Sequence, residues 1–167
     1  MAEQLQGTGM NPTIVANNIL QRAFRDHIDV SPMKLQKILF FVTCIYQRTT
    51  GKQLLTESFQ PWKYGPVVRS VYDEFRLFHG DPITRYAQDA KGSAFVIDES
   101  AVPGLAKAMD SVWDETKGMS AVYLSRVTHR PNSAWWKAWQ NKARFVSNTD
   151  MANDHTFEDL VTDPENE

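Results

Sequence analysis

Apolar residues recur at helical spacing along most of the chain, in six stretches that carry their own start or stop signals. Val15, Ala16, Ile19, Leu20, Ala23 and Phe24 follow Asn11-Pro12, where a capping side chain precedes a proline suited to a first helical position. Ser31-Pro32 repeats the signal, and Leu35, Ile38, Leu39, Val42, Ile45 and Tyr46 then form the strongest stripe in the protein, ended by Gly51. This second helix is expected at the centre of the core. Gly65-Pro66 reads as a third start, with Val68, Val71, Tyr72, Phe75 and Phe78 as its buried face and Gly80 as its stop. Leu105, Ala108, Met109, Val112 and Trp113 predict a fourth helix closed near Gly118. Ser120 can cap a fifth carrying Leu124, Val127 and Thr128, and Asn132-Ser133 precede a sixth with Trp135, Trp136 and Trp139.

Two stretches break the helical period. Residues 53–59 mix polar and apolar positions and read as an extended connector. Ile83 to Tyr86 and Ser93 to Ile97 are short β-favouring runs around Asp89-Ala90-Lys91-Gly92, which predicts a hairpin. The expected fold is mainly α (α+β): a compact single domain, a bundle of about six helices with one small β-hairpin. No unit of 20 to 50 residues repeats, which excludes a solenoid.

Composition adds the boundaries. At 167 residues and 42% hydrophobic content the chain suits one ordinary globular domain. The first ten residues read as a flexible leader, residues 11–145 as the folded domain, and residues 146–167 as an acidic, disordered tail. That division follows the charge: residues 1–145 hold 18 Lys and Arg against 13 acids, a balance of +5, whereas residues 146–167 hold seven acids and no Lys or Arg. Such a terminus has too little apolar surface to order itself by the usual rule. Phe157, Leu160 and Val161 at helical spacing leave open a short terminal helix that docks on a partner or on the basic body. The longest apolar stretch, from Ile38 to Tyr46, is far short of the roughly 20 residues that cross a bilayer, so no membrane contact is expected. No basic-then-apolar leader follows Met1, and a soluble, cytoplasmic protein is expected. The lone Cys44 lies on an apolar helix face and reads as a buried structural thiol.

Catalytic chemistry finds little support. His129 stands at a predicted helix end, where the dipole favours a protonated imidazole, and a structural role outweighs a catalytic one there. His27, His79 and His155 show no metal-ligand spacing, and no metal or cofactor is expected. Adjacent acids such as Asp73-Glu74 and Asp114-Glu115 suit solvated faces. A Gly-rich phosphate loop and a Gly-x-Ser-x-Gly elbow are both missing from the sequence. Aromatic content is the remaining signal: of five tryptophans, Trp113 fits a core stripe, but Trp135, Trp136 and Trp139 cannot all face one side of a short helix. Exposed Trp, Tyr and Arg are the types enriched at the centres of protein interfaces. Nucleic-acid stacking would use the same types, but a body charge of +5 with no basic stripe along one helix disfavours it.

Three blocks taken together resemble a known family. These are Ser31-Pro32-Met33-Lys34-Leu35-Gln36-Lys37-Ile38-Leu39-Phe40-Phe41, then Phe59-Gln60-Pro61-Trp62-Lys63-Tyr64-Gly65-Pro66-Val67 with the following Tyr72, and finally Leu124-Ser125 through Thr128-His129 to Trp135. In that order and spacing, across residues 11–139, they resemble the Panacea antitoxin domain, also called SocA-like or GepA-like and common in phages and mobile elements. The resemblance implies a non-enzymatic antitoxin that neutralises a cognate toxin, encoded alongside it, by direct protein binding. The alternatives are a proteolytic adaptor that delivers its toxin to a protease, as the SocA member does, and a nucleic-acid-binding regulator. Homo- and hetero-oligomers are both compatible with it. Carried over by position, the motif residues are Trp62, Tyr64, Gly65, Pro66, Thr128, His129 and Trp135. Gly65, Pro66 and Thr128 are expected to serve the fold, while Trp62, Lys63, Tyr64, His129, Arg130, Trp135 and Trp136 are the candidates for touching a partner.

Overall fold

The caps written into the sequence close as expected. In the computed structural model, which describes residues 5–164, Asn11 accepts from the Thr13 N–H at 3.0 Å and starts helix α1 (Pro12–Asp26). Ser31 accepts from the Lys34 N–H and starts α2 (Pro32–Thr50), and Gly51 ends that helix in the left-handed region at φ 70°. Helices α4 (Leu105–Thr116), α5 (Ala121–Thr128), α6 (Ala134–Gln140) and α7 (Asn148–Ala152) follow, with Ser120, Ser133 and Ser147 capping the last three. Each such cap contributes about 1 kcal/mol.

Helix α2 is the axis of the molecule. It packs against α1, α3 (Arg69–Phe75), α4, α5 and α7, and every residue from Lys34 to Gln47 is buried. A helix buried all round is normally apolar all round. Here Lys34, Gln36, Lys37, Thr43 and Gln47, outside the stripe, are polar and buried instead, and each finds backbone to hold. The Gln36 amide accepts from the Val68 N–H at 3.0 Å and donates to the Val68 carbonyl at 3.1 Å. Gln47 does the same for Leu54 N–H and the Asn148 carbonyl, and Lys34 donates to the Lys117 carbonyl at the end of α4. The central helix therefore supplies both the core and the ties for the segments around it.

The third helix starts later than its sequence signal. Gly65 and Pro66 do not open it: they belong to strand β2 (Gly65–Val67), which pairs antiparallel with β1 (Gln60–Trp62), Gln60 opposite Val67 and Trp62 opposite Gly65. Val68 precedes α3, which ends at Phe75 and gives way to a 3₁₀ turn at Arg76–Phe78 before Gly80. Pro66 avoids the helix because Gly65 has φ 116°, outside any helical basin, and Pro is tolerated in an edge strand.

The small hairpin of the fold is thus this one, and residues 83–97 form none. Their backbone groups go to side chains of α1: Asn17 donates to the Ala87 and Phe95 carbonyls at 3.1 and 2.8 Å and accepts from the Ala87 N–H, while Asn18 clasps Ile97 through N–H and carbonyl alike. Only a turn at Asp89 to Ser93 survives of the expected pairing. Arg22 completes the clasp with Glu99 at 2.7 Å and Asp110 at 2.8 Å.

Both ends also depart from expectation. Residues 5–10 run beside the 51–56 connector, with Gln6 bridged to Lys52 and Met10 to Leu55, so within the described residues the leader is a paired segment. The acidic tail, described as far as residue 164, packs on the body. Met151, Phe157, Leu160 and Val161 are buried, Phe157 lies 4.8 Å from Phe41, and the body's Arg48 and Arg130 take Asp163 and Asp159. A count of like charges missed this because the opposing cations are distant in sequence.

Candidate functional site

The three sequence blocks meet at the hairpin. Side chains from α2, α5 and α6 take hold of its carbonyls almost residue by residue: Trp135 Nε1 donates to Trp62 at 2.8 Å, the His129 Nε2 position meets Lys63 at 2.8 Å, Ser125 Oγ donates to Tyr64 at 2.6 Å, and Lys37 Nζ donates to Pro66 at 3.2 Å. The other ring nitrogen of His129 faces the Ser125 carbonyl at 2.5 Å. Its ring also packs 4.0 Å from that of Trp135.

Gly65 is what allows this clamp to close. A Cβ there would stand 2.7 Å from Lys37 Cε and 2.8 Å from Thr128 Oγ1, at a backbone angle that side-chain-bearing residues rarely adopt. Gly65 and Pro66 pair in the hairpin and Thr128 crowds Gly65, a close approach in place of the expected helix start. The clamp turns the side chains of the hairpin tip outwards. Tyr64 is 62% exposed, Lys63 is exposed beneath it with Nζ 5.5 Å from its ring, and half-buried Trp62 stands edge-on to Tyr72 at 4.8 Å with Arg69 over both rings.

Tyr64 divides two recesses. One, an open groove of about 430 Å³, is lined by Met33, Tyr64, Val122, Ser125, Arg126 and His129. The other, about 260 Å³, lies between the start of α2, the hairpin and α3, and counts Lys37, Trp62, Tyr72, Arg76 and His79 among its walls. Neither lining contains a carboxylate. Lys37 is the unusual member: it is 1% exposed, and burial pulls its pKa down to about 7.

The remaining candidates divide between face and frame. His129 lines the groove while holding the hairpin. Trp135, only 5% exposed, is part of the frame, as is Arg130, which is occupied by the Thr156 carbonyl and Asp159. Trp136 is half-buried, and Trp139, stacked on Trp135 at 5.1 Å, is the exposed tryptophan of α6. Wall residues outside the candidate set are Met33, Val122 and Arg126 on one side of Tyr64 and Lys37, Arg76 and His79 on the other. Lys37 sat in plain view within a motif block, but a lysine on the polar side of an amphipathic stripe carries no sign of burial.

Side chains of α2, α5 and α6 thus hold the backbone of a short aromatic hairpin whose tip stands in solvent between two recesses, on a small, mainly helical domain. The chain belongs to the family described as Antitoxin SocA-like, Panacea domain, which it matches over residues 35–136, a span that holds the clamp in full. It is also similar to the Antitoxin SocA of Caulobacter vibrioides (strain NA1000 / CB15N), 27% identical over 124 residues, which cover 72% of this chain and 66% of that relative's length. No solved structure matches it. No helix among the described residues is long and apolar enough to cross a membrane, and none of their His, Cys, Asp and Glu residues gather in a group of three or more that could hold a metal ion.

Proposed function

We propose that the chain neutralises a cognate toxin by direct protein–protein binding, acting in the cytoplasm as a non-enzymatic antitoxin, and that the Tyr64 face is where the toxin sits. Family membership supports the role, and one observation carries the choice of face: the clamp spends its buried hydrogen bonds on the hairpin backbone and leaves Lys63 and Tyr64 projecting between two recesses. A rigid aromatic anchor flanked by cations has the composition of an interface centre. Arg126 on one side and Lys37 and Arg76 on the other give the toxin surface a complementary sign, negative with apolar patches.

Co-expression with the product of the adjacent reading frame tests the role. A stable complex and relief of growth arrest are expected, and Tyr64→Ala should weaken the complex at least tenfold while leaving the fold intact. Two non-interacting proteins with no relief of toxicity would rule the role out. An unchanged complex with Tyr64→Ala would move the toxin to another face.

A further inference from the structure

The smaller recess has features that neither the fold nor the clamp accounts for. Its ionisable walls are Lys37, Arg76 and His79, together with the phenols of Tyr64 and Tyr72. Among the described residues neither Arg76 nor His79, both exposed, makes an ion pair, so the Arg76 guanidinium is open to a carboxylate from outside. Lys37 is the extreme case. An ammonium has three donors, and the Pro66 carbonyl is the one acceptor the structure gives it. Among the described residues it makes no ion pair, and no carboxylate lines the recess. An unpaired buried cation is among the costliest groups a core can hold.

Apart from the Gln36 amide, the rest of the wall is apolar. Pro32, Met33, Val67 and the faces of Trp62 and Tyr72 make up most of it. At about 260 Å³ the space is below the range of whole small-molecule sites and suits one large side chain with a charged neighbour. A bare inorganic anion would leave that apolar wall uncovered, and a purely apolar side chain would leave Lys37 uncompensated.

We propose that this recess receives an acidic, apolar-flanked peptide segment of the protein partner, its carboxylate against the Lys37 and Arg76 wall and the adjoining apolar side chain against Trp62, Met33 and Tyr72. The inference rests on the toxin-binding reading for its occupant, but not for its chemistry. Gln36, which might otherwise compete, is already committed to Val68 through both ends of its amide. The carboxylate supplies from outside what the fold withholds, and the partner is thereby selected for an acidic residue next to an exposed apolar one.

The test uses the full chain, titrated with acetyl-Asp-Phe-Asp-Leu-amide and its Asn-for-Asp counterpart and followed by NMR of the lysine and aromatic side chains. The acidic peptide should shift Lys37, Trp62 and Tyr72 in a saturable manner, and the Asn peptide should bind at least tenfold more weakly. Lys37→Gln keeps a donor for the Pro66 carbonyl and removes the charge, so it should abolish the tenfold preference; a lysine kept only as a strut for the hairpin predicts no change. Arg76→Gln, at an exposed site remote from the core, should reduce the preference severalfold and guards against misfolding of the Lys37 variant. Equal binding of the two peptides, no binding of either, or an undiminished preference in both variants overturns the proposal, as do equally strong shifts from inorganic phosphate. If the toxin complex forms and resists Lys37→Gln, the pocket assignment falls and the toxin-binding role stands. If no complex forms but the peptide preference is seen, the role falls and the pocket chemistry stands.

Discussion

Two irregular segments of this protein are held in the same manner and differ in how they finish. Residues 87–101 are clasped by Asn17, Asn18 and Arg22 of α1, and residues 60–68 by Gln36 and Lys37 of α2 with help from α5 and α6. In the first clasp the cation is closed internally, Arg22 lying between Glu99 and Asp110 with bonds to both. In the second, Lys37 has a carbonyl and no carboxylate. The closed clasp contributes stability and asks nothing of a partner. The open one holds a charge that the fold would be more stable without, which is the pattern expected where function and stability compete.

The sharpest way to break the comparison is at Gly65. Gly65→Ala adds backbone strain of about 1–3 kcal/mol to overpacking against Lys37 and Thr128 of similar size. A loss of roughly 2–6 kcal/mol in urea unfolding is expected from those two sources, together with loss of partner binding. Next comes the closed clasp. Arg22→Ala leaves Glu99 without its cation and should cost about 3 kcal/mol, at the low end for a broken buried pair because Asp110 remains largely in water. Toxin binding per folded molecule, read by titration calorimetry at low temperature, should be unchanged.

Lys37 predicts a change of the opposite sign. Its pKa of about 7 in the folded chain is below the unfolded value of about 10.4, so between those limits the unfolded chain holds more protons and stability rises with pH. The gain from pH 7 to pH 9 should be roughly 2 kcal/mol, and above that the buried Cys44 thiol and the Tyr46 phenol, both with raised pKa, oppose it. Lys37→Met should flatten this rise and be more stable than the parent at pH 7, by urea melts across that range. A parent protein with no upward slope would show that Lys37 is already compensated. The smallest expected effect on stability is at the hairpin tip. Tyr64→Ala removes an exposed side chain and should change unfolding by no more than about 0.5 kcal/mol, while its effect on the complex is the largest of the surface variants.

Much of the helical frame was legible in the chain because its signals are local. Asn11, Ser31, Ser120 and Ser133 cap the helices they precede, and the stripe from Leu35 to Tyr46 lies at the centre of the core. The errors came where a local signal had two physical readings. Gly-Pro suits both a helix start and a tight edge strand, and its choice rested on Lys37 and Thr128, which lie far away in sequence and crowd the Gly65 Cα. The β-favouring runs at 83–86 and 93–97 had no means to show that Asn17 and Asn18 would take their backbone groups first. Phe157, Leu160 and Val161 did hint at a docked tail, but the arginines that neutralise its acids come from α2 and from the end of α5.

The candidate site was legible by membership and not by role. Trp62, Tyr64, Gly65, Pro66, Thr128, His129 and Trp135 were recognisable as one set in the sequence, and they do come together. Which of them project and which are spent on holding the hairpin depends on burial, and burial is a property of the packed chain. Periodicity and capping, set by neighbours within a few residues, determined the helices and the identity of the central one. Contacts between residues from 29 to 106 positions apart decided where the hairpin formed, how the tail was held, and that a lysine on the polar side of α2 would be left inside without a counter-charge. Their energies exist only once the backbone has closed around them.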